Sequence, residues 1–293
     1  MGYRDYSVAK GHIVDSTGHG DFTTIASALS AAVSGQTIFI RPGTYTENIT
    51  LKAGVDLAAF ICEALTPNVT IVGKMTMSFT GTVSISGIRF QTNSDYFLQT
   101  SGANSGTLNI SNCYLNCTNN TGINITNANA SVTIYSSVGD LGTTGIALFA
   151  VTNGSLNFFL FNCTNSGSSI TANTISAGSG NYMYCNSIPN PTTTSGTASW
   201  GIYYSKIGLP SLNATGFTVG GSGAHGIEYS DVYGGTSSAL VISGTCYVTH
   251  INVNSSNANA ITGAGTMFYV YIAFTGSSSG HNVTTETALA TLI

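Results

Sequence analysis

One short stretch, HGIEYSDVYGG, holds the pair of acidic residues best placed for chemistry in this chain. Two carboxylates that share a groove can act as acid and as base or nucleophile in glycoside hydrolysis. Glu228 and Asp231 form the pair, and His225 lies beside them. If Ile227 and Tyr229 face inward, Glu228 faces outward and Asp231 lies beyond the next bend. These three residues are candidate catalytic groups, but the interpretation we favour is two solvated surface acids beside an ordinary histidine.

No other residues are spaced to hold a metal or a cofactor. The five histidines and six cysteines form no ligand pattern, and Cys113 and Cys117 have no second pair to complete a zinc site. The glycine-rich run GGSGAH is similar to a calcium-binding repeat but has His225 where that repeat has an aspartate. We therefore predict no metal and no cofactor, and we predict that the cysteines are small buried apolar residues.

The composition excludes several classes of protein. Charged residues make up 6% of the chain and the net charge is −4, so no basic surface is available for nucleic acid. No apolar run is long enough to span a membrane. The first ten residues, MGYRDYSVAK, lack the apolar core of a secretory signal, which predicts either synthesis in a cytoplasm or a leader that has already been removed. The hydrophobic fraction of 42% is sufficient for an ordered core.

The elements that position these side chains are short repeated strands. An apolar-polar-apolar triplet recurs about every 23 residues. The triplets are VSI at 83, LNI at 108, VTI at 132, LNF at 156, YMY at 182, IYY at 202, IEY at 227, YVT at 247 and FYV at 268. Two further short strands and runs of turn-forming residues follow most triplets. This pattern predicts an all-β parallel β-helix with three strands per rung and about ten rungs.

The outward positions of the triplets change in character along the chain. In the first half they hold Ser84, Asn109 and Thr133. In the second half, these positions and their neighbours hold Met183, Trp200, Tyr203, Tyr269 and Tyr271. An exposed apolar strip marks a contact surface, either a subunit interface or a platform for sugar rings. We favour the interface because the strip follows the axis of the rod.

One amphipathic helix is predicted near the N-terminus. In FTTIASALSAAV, the residues Ile25, Ala28, Leu29, Ala32 and Val33 fall on one helical face, and Gly35 follows at the expected stop. An open end of a β-helix exposes unpaired backbone groups, so a covering helix prevents edge-to-edge association. We predict that this helix caps the first rung.

The cap and first rung, residues 14–57 with GHGDFTTIASAL, closely resemble those of the pectate-lyase-like superfamily, and most of all those of pectin methylesterases. The resemblance implies a right-handed parallel β-helix and a link to polysaccharides. The chain is then divided into an N-terminal arm (1–13), the cap and first rung (14–57), the β-helix body (58–281) and a C-terminal tail (282–293). The body resembles phage tail-fibre and tailspike β-helices in style.

The catalytic sets of the resembled enzyme families are missing. Pectin methylesterases use two aspartates, an arginine and glutamines on adjacent rungs, but Arg89 is the last arginine in this chain. The three-aspartate group of polygalacturonases and the acidic calcium ligands of pectate lyases have no counterpart either. Asp140 aligns with Gln91, Asn116, Thr164 and Asn190 in an exposed polar ladder. These absences favour a protein that is not an enzyme.

The leading hypothesis is a β-helical fibre, tailspike or adhesin segment on a virion tail or an extracellular surface. It would form a homo-oligomer, a trimer or a filament, and would bind cell-surface polysaccharide. One alternative is a polysaccharide-degrading lyase or glycoside hydrolase with its site in a lateral groove. Another is a purely structural subunit of a self-assembling filament.

Overall fold

The chain folds into a β-solenoid of about ten turns, with three strands in each rung. The computed structural model describes residues 11–60, 67–91, 96–102, 105–117, 121–141, 147–164, 171–189, 191–208, 214–257, 259–275 and 280–288. Most of the predicted N-terminal arm and the last residues of the predicted tail lie outside these ranges. The predicted domain boundaries stay predictions, whereas the predicted fold is confirmed.

The first row of strands consists of short segments that pair in parallel from rung to rung. Its strands are Ile49–Thr50, Met75–Met77, Leu98–Thr100, Ile123–Ile125, Phe149–Val151, Asn173–Ile175, Thr192–Thr194, Phe217–Val219 and Leu240–Ile242. The strands alternate buried and outward residues, so each three-residue strand contributes two side chains to the interior, and Ile49–Thr50 contributes one.

The second row carries the predicted triplets. Its strands are Gly11–Val14, Thr37–Ile40, Asp56–Ala59, Thr80–Ser86, Ser105–Ser111, Ser131–Tyr135, Ser155–Phe159, Ser179–Met183, Ser199–Tyr203, Ala224–Glu228 and Thr245–Thr249. Two longer strands, Asn259–Tyr269 and Gly280–Ala288, continue both rows at the C-terminal end. All nine triplets lie in this row and pair in parallel, which confirms their predicted stacking.

The third row follows the second after a sharp corner. Its strands are Gly43–Thr46, Val69–Val72, Ile88–Gln91, Tyr114–Asn116, Val138–Asp140, Asn162–Thr164, Lys206–Ile207, Asp231–Tyr233, Ile251–Asn254 and Ile272–Thr275. Single bridges at Ser187 and Ile188 join its two halves. Gln91, Asn116, Asp140 and Thr164 stack in register, as the polar-ladder interpretation predicted, while Asn190 lies outside the described residues.

The interior changes from aliphatic to aromatic along the second row. Leu108, Val132 and Leu156 occupy one inward position, and the rungs that follow place Gly180 and then Trp200 there. The missing side chain of Gly180 leaves room for the indole, because a Cβ at this position would lie 2.6 Å from Cζ3 of Trp200. The indole stacks on Phe149 with ring centroids 5.5 Å apart. Large rings therefore fill the space that smaller residues fill elsewhere.

The helix at Ile25–Ala31 covers the first rung as predicted. Thr24 caps its N-terminus, and the Glu47 carboxylate accepts hydrogen bonds from the backbone N–H groups of Ile25 and Ala26, both at 2.9 Å. The buried face comprises Ile25, Ala28 and Leu29, with Ala32 as the buried C-cap. The prediction for Val33 was wrong, since it is 61% exposed. Ala32 adopts an extended conformation, so the helical periodicity stops before Val33.

The register of the later triplets differs from the sequence alignment. The triplets at 182, 202 and 227 begin two residues after the position that pairs in register with Leu156. Because side chains alternate between the two faces of a strand, a shift of two residues leaves each side chain on the face that was predicted for it. The triplets at 247 and 268 begin one residue after it. A slip of one residue exchanges inside and outside. Tyr269 therefore occupies the inward register of Val248, is packed partly against the core, and was wrongly placed on the outer strip.

Among the described residues, no helix is both long and apolar enough to cross a lipid bilayer. The five cysteines with described positions are free and buried, as predicted, and Cys62 lies outside the described ranges. Burial raises the pKa of the Cys185 thiol to about 11 and that of Cys246 to about 12. These thiols are therefore protonated at neutral pH and fill space in the core.

Candidate functional site

A corner with an unusual backbone separates the second row from the third. At this corner, one residue in each of eight consecutive rungs has a positive φ: Gly87, Asn112, Ser136, Leu160, Tyr184, Tyr204, Tyr229 and His250. For non-glycine residues this conformation costs about 1–2 kcal/mol, and only asparagine and aspartate enter it readily. Gly87 and Asn112 therefore suit the left-handed backbone conformation that this corner requires. The tyrosines, with φ between 47° and 54°, do not.

These tyrosines form a continuous stack with His250 and Tyr271 of the two rungs that follow. We call this stack the corner ladder, and its members are Tyr184, Tyr204, Tyr229, His250 and Tyr271. Successive ring centroids lie 5.0, 5.1, 5.0 and 5.9 Å apart. The first three pairs are nearly parallel, with interplanar angles of 14°, 6° and 6°. Each aromatic pair contributes about 0.5–1.5 kcal/mol beyond its area burial, which offsets the backbone strain.

An open groove of about 500 Å³ runs beside the corner ladder on the outward face of the second row. Its side-chain lining comprises Asn157, Ser179, Asn181, Ser199, Tyr203, Ala224, Glu228 and Tyr247. Gly201 and Gly226 lie between Asn181 and Tyr247 in the same outward register. Two consecutive rungs without a side chain at this position create the depression.

Tyr203 lies flat on the floor of the groove. A Cβ on Gly201 would be 2.3 Å from Cε2 of this tyrosine, so only glycine lets the ring rest on the sheet. The Tyr203 hydroxyl reaches towards Gly226, where a Cβ would lie 3.3 Å away. Burial, and then the charge of Glu228, raise the pKa of Tyr203. The phenol therefore stays protonated and can donate a hydrogen bond.

The ends of the groove differ in chemistry. At one end, Asn181 Nδ2 donates a hydrogen bond of 3.1 Å to Asn157 Oδ1 on the preceding rung. At the other end, Tyr247 stacks on Phe268 with ring centroids 5.0 Å apart, and Tyr247 is 48% exposed. A ligand in the groove would meet amides at one end, a flat phenol in the middle and an aromatic wall at the other end.

The structure separates the three candidate catalytic residues. Glu228 points outward at the end of its second-row strand, and Asp231 lies on the third row, beyond the corner at Tyr229. Asp231 forms an ion pair of 3.9 Å with Lys206, a partner that the sequence reasoning did not consider. The expectation that Tyr229 faces inward was wrong, because it is 49% exposed at the corner.

His225 is part of the core rather than of the surface. Its side chain is 2% exposed, is stacked edge-on against Phe217 and lies between Trp200 and Cys246 in the inward register. Nε2 lies 3.5 Å from Thr194 Oγ1. Nδ1 has no hydrogen-bond partner among the described residues. Burial lowers the pKa of His225, so the imidazole is neutral and does not flank the two carboxylates.

Two other acidic residues, Asp140 and Asp15, make structural contacts. Asp140 accepts a hydrogen bond of 3.1 Å from the Tyr114 hydroxyl. Asp15, in the first rung, accepts bonds from the backbone and hydroxyl of Thr17 and pairs with Arg41 at 3.3 Å. Within the described ranges, no group of three or more His, Cys, Asp or Glu side chains could hold a metal ion.

The predicted contact residues occupy four different places. Met183 and Tyr203 are neighbours in one outward register of the second row. Tyr271 is 56% exposed and ends the corner ladder. Trp200 is 1% exposed inside the coil, so its placement on the contact surface was wrong. Tyr269 lies in the inward register, as described above.

Comparisons with known proteins bear on the fold. No protein-family model matches the chain, and no curated protein matches it significantly. Among solved structures, the catalytic unit of a GH87 α-1,3-glucanase from Streptomyces thermodiastaticus is 14% identical with a TM-score of 0.50, covering 98% of this chain and 67% of that chain. At this identity the likeness shows the fold alone, and the chain shares the right-handed parallel β-helix fold of that catalytic unit.

Two further β-helices of this fold match along most of their length. The A-module of a mannuronan C-5 epimerase from Azotobacter vinelandii is 12% identical, covers 97% of this chain and 96% of that chain, and has a TM-score of 0.48. A pectin methylesterase from Erwinia chrysanthemi is 11% identical, covers 97% and 94%, and has a TM-score of 0.41. These two similarities carry no argument about this chain, and its activity is argued from the site.

Sequence reasoning missed two features of this β-helix. The corner ladder residues directly follow second-row strands, at the position where earlier rungs have Gly87 and Asn112. Glycine and asparagine at one repeat position signal a left-handed backbone, and that signal was present. Gly201 and Gly226 were missed because a glycine within a strand shows its purpose only when its neighbours are known.

Proposed function

We propose that this protein is a β-helical fibre, spike or adhesin segment that binds a cell-surface glycan in the groove over Gly201 and Gly226. It would be displayed on a virion tail or another extracellular surface. The observation that carries the proposal is the flat Tyr203 ring on a glycine floor, between a pair of amides and an aromatic wall. Such a surface offers stacking for a sugar ring and hydrogen bonds for its hydroxyls.

The charge of the groove supports binding rather than cleavage. Glu228 is the carboxylate in its lining, and Asp231, the nearest acid in the sequence, pairs with Lys206 on another face. Glycoside hydrolysis by the usual mechanisms needs two carboxyl groups on either side of the scissile bond. The groove therefore provides the contacts of a binding site without an acid–base pair.

The binding site is tested with a panel of microbial and host surface glycans, followed by calorimetry on the best ligand. Tyr203→Ala removes the platform and is expected to weaken binding about tenfold, since ring stacking contributes about 0.5–1.5 kcal/mol. Gly226→Val fills the depression and is expected to weaken binding further. The control Thr133→Val makes a similar outward change four rungs before Gly226 and should bind like the wild type.

Two results would contradict the proposal. One is a wild type that binds no glycan of the panel, and the other is equal loss of binding in Tyr203→Ala and in the Thr133→Val control. A reducing-end assay on the same panel tests the enzymatic alternative. Polysaccharide cleavage by the wild type that disappears in a Glu228→Gln, Asp231→Asn double variant would establish an enzyme.

A further inference from the structure

We propose that the corner ladder is a side-by-side interface between copies of this chain. Its members are Tyr184, Tyr204, Tyr229, His250 and Tyr271, and it forms a ridge that is separate from the glycan groove. The inference does not depend on glycan binding, because it rests on backbone strain, exposure, charge and repeat distance at the corner.

The backbone conformation of this corner does not require tyrosine. The same position holds Gly87 and Asn112 in two earlier rungs, where the positive φ is adopted at low cost, and Ser136 and Leu160 in the next two, each with a φ of 48°. Tyr184, Tyr204 and Tyr229 adopt it with φ values of 54°, 50° and 47°. Strained residues that surrounding structure maintains are concentrated at functional sites. Ser136 and Leu160 share this strain without a ring, so the feature that needs a use is the run of three stacked and exposed tyrosine rings.

The rings remain open to contact after they stack. Tyr184, Tyr204, Tyr229 and Tyr271 are 52%, 50%, 49% and 56% exposed. Their faces are covered by their neighbours along the axis, so the exposed parts are the ring edges and hydroxyl groups. A sugar stacks on a ring face and finds none free within the ladder. Ring edges, in contrast, can pack between the rings of another ridge.

The repeat distance identifies the partner. The ring centroids lie 5.0–5.1 Å apart over three steps because each ring belongs to one rung. A partner that meets every ring must have the same repeat along its length. A second copy of this β-helix, aligned side by side, has that repeat by construction. Self-association is therefore the simplest way to bring a partner into contact with every ring of the ridge at the same time.

Charge and area both permit this association. The ladder contains no acidic or basic residue other than His250, and the whole chain has a net charge of −4, so two copies repel each other weakly. Five half-exposed aromatic side chains offer on the order of 500 Å² per copy, against about 800 Å² for a standard interface. Leu160 and Tyr135 lie on the same side of the rod in preceding rungs and are 62% and 40% exposed. They add apolar surface to the ridge and bring its area closer to that of a standard interface.

The test uses the triple variant Tyr184→Asn, Tyr204→Asn, Tyr229→Asn. Asparagine copies Asn112 at the same corner position, so the backbone keeps a residue that suits it. The control Tyr233→Asn makes the same chemical change on the third row. Mass is measured by sedimentation and light scattering over a wide range of protein concentration, and folding by circular dichroism.

We expect the wild type and the Tyr233→Asn control to form oligomers and the triple variant to dissociate about 100-fold more readily or more. A wild type that stays monomeric at all concentrations overturns the proposal, and so does a triple variant that associates like the wild type. If the triple variant fails to fold, Tyr204→Glu replaces it, since one carboxylate on the ridge of each copy should also cause dissociation. Unchanged association of a folded Tyr204→Glu variant would equally overturn the proposal.

Discussion

The two halves of this β-helix share a backbone and differ in what they present to solvent. One outward register of the second row reads Ser84, Asn109 and Thr133 in the first half, and Gly201, Gly226 and Tyr247 in the second. The left-handed corner likewise changes from Gly87, Asn112, Ser136 and Leu160 to a run of tyrosines. Because strand geometry is the same, the fold does not require these changes. The second half is therefore where we propose contact with other molecules.

The interior follows the same division. Inward positions of the early rungs hold aliphatic residues such as Leu108 and Val132, and those of the later rungs hold Tyr182, Trp200 and His225. The larger interior residues lie directly beneath the groove. Their rings are packed against one another, with Tyr182 and Trp200 centroids 5.3 Å apart. A firm interior supports a surface whose side chains must be held in place to bind.

The largest effect is expected from Trp200→Ala. The substitution removes a fully buried indole that packs on Phe149 and Tyr182, so we expect it to lower the free energy of unfolding by about 3–5 kcal/mol. Urea denaturation measures the change. Trp200→Phe is the matched control, because it keeps a ring and removes a buried indole N–H that has no described hydrogen-bond partner. A cost below that of the aliphatic substitution Leu108→Ala would contradict the importance of the aromatic interior.

A smaller effect is expected at the corner of the first half. Asn112→Tyr places a ring in the left-handed region with Gly87 and Ser136 as rung neighbours, so no stacking offsets the strain. We expect a loss of about 1 kcal/mol in unfolding free energy, measured by urea denaturation. The double variant Asn112→Tyr, Ser136→Tyr should recover part of this loss through a new ring pair. Equal stability of Asn112→Tyr and wild type would show that the corner tolerates tyrosine without strain.

The pH dependence of stability should reveal His225. Burial lowers the folded-state pKa of His225, so at mildly acidic pH the unfolded chain binds a proton that the folded protein does not bind. This stability is fully present above the unfolded pKa of about 6.5 and is lost as pH falls below it towards the folded pKa. The neighbours Trp200, Phe217 and Thr194 carry no charge to counter this.

Melting temperatures at pH 7.5 and pH 5.5 measure the effect, with His225→Leu as the comparison because Leu156 occupies the same inward register. We expect a smaller drop between the two pH values in the variant. The same drop in both proteins would assign the acid sensitivity to other groups.

The smallest effect is expected from the ion pair between Lys206 and Asp231. The two side chains are 52% and 29% exposed, and exposed pairs contribute about 0–1 kcal/mol. Lys206→Ala should therefore leave the melting temperature and glycan binding nearly unchanged. A large loss of glycan binding would show that the ligand reaches across the corner, in contrast to the groove proposed here.

The degree to which sequence predicted this protein differs between fold and site. The repeat of triplets and the cap helix predicted the β-helix, because a hydrophobic side chain recurs wherever a strand must face the interior. Tyr269 was misplaced because a shift of one residue in the triplet at 268 exchanges the two faces. Trp200 was misplaced because the aromatic residues of the second half were assumed to face solvent, and the register of Trp200 in its strand was not considered. His225 was considered as a catalytic candidate beside Glu228 and Asp231 because its inward register could not be seen in the sequence.

The sequence alone determined the β-helix, its capping helix and the low charge of its surface, since these depend on periodicity and composition summed over many rungs. The tertiary structure alone decided which aromatic residues face solvent. Hydrogen bonds to the preceding rung set the register of each rung. Whether a side chain faces the interior or the solvent therefore depends on the whole stack of rungs and not on the local sequence pattern. The flat Tyr203 over Gly201 and the ladder at the corner exist only because residues about 20–25 positions apart are stacked at the spacing of β-strands, about 4.8 Å.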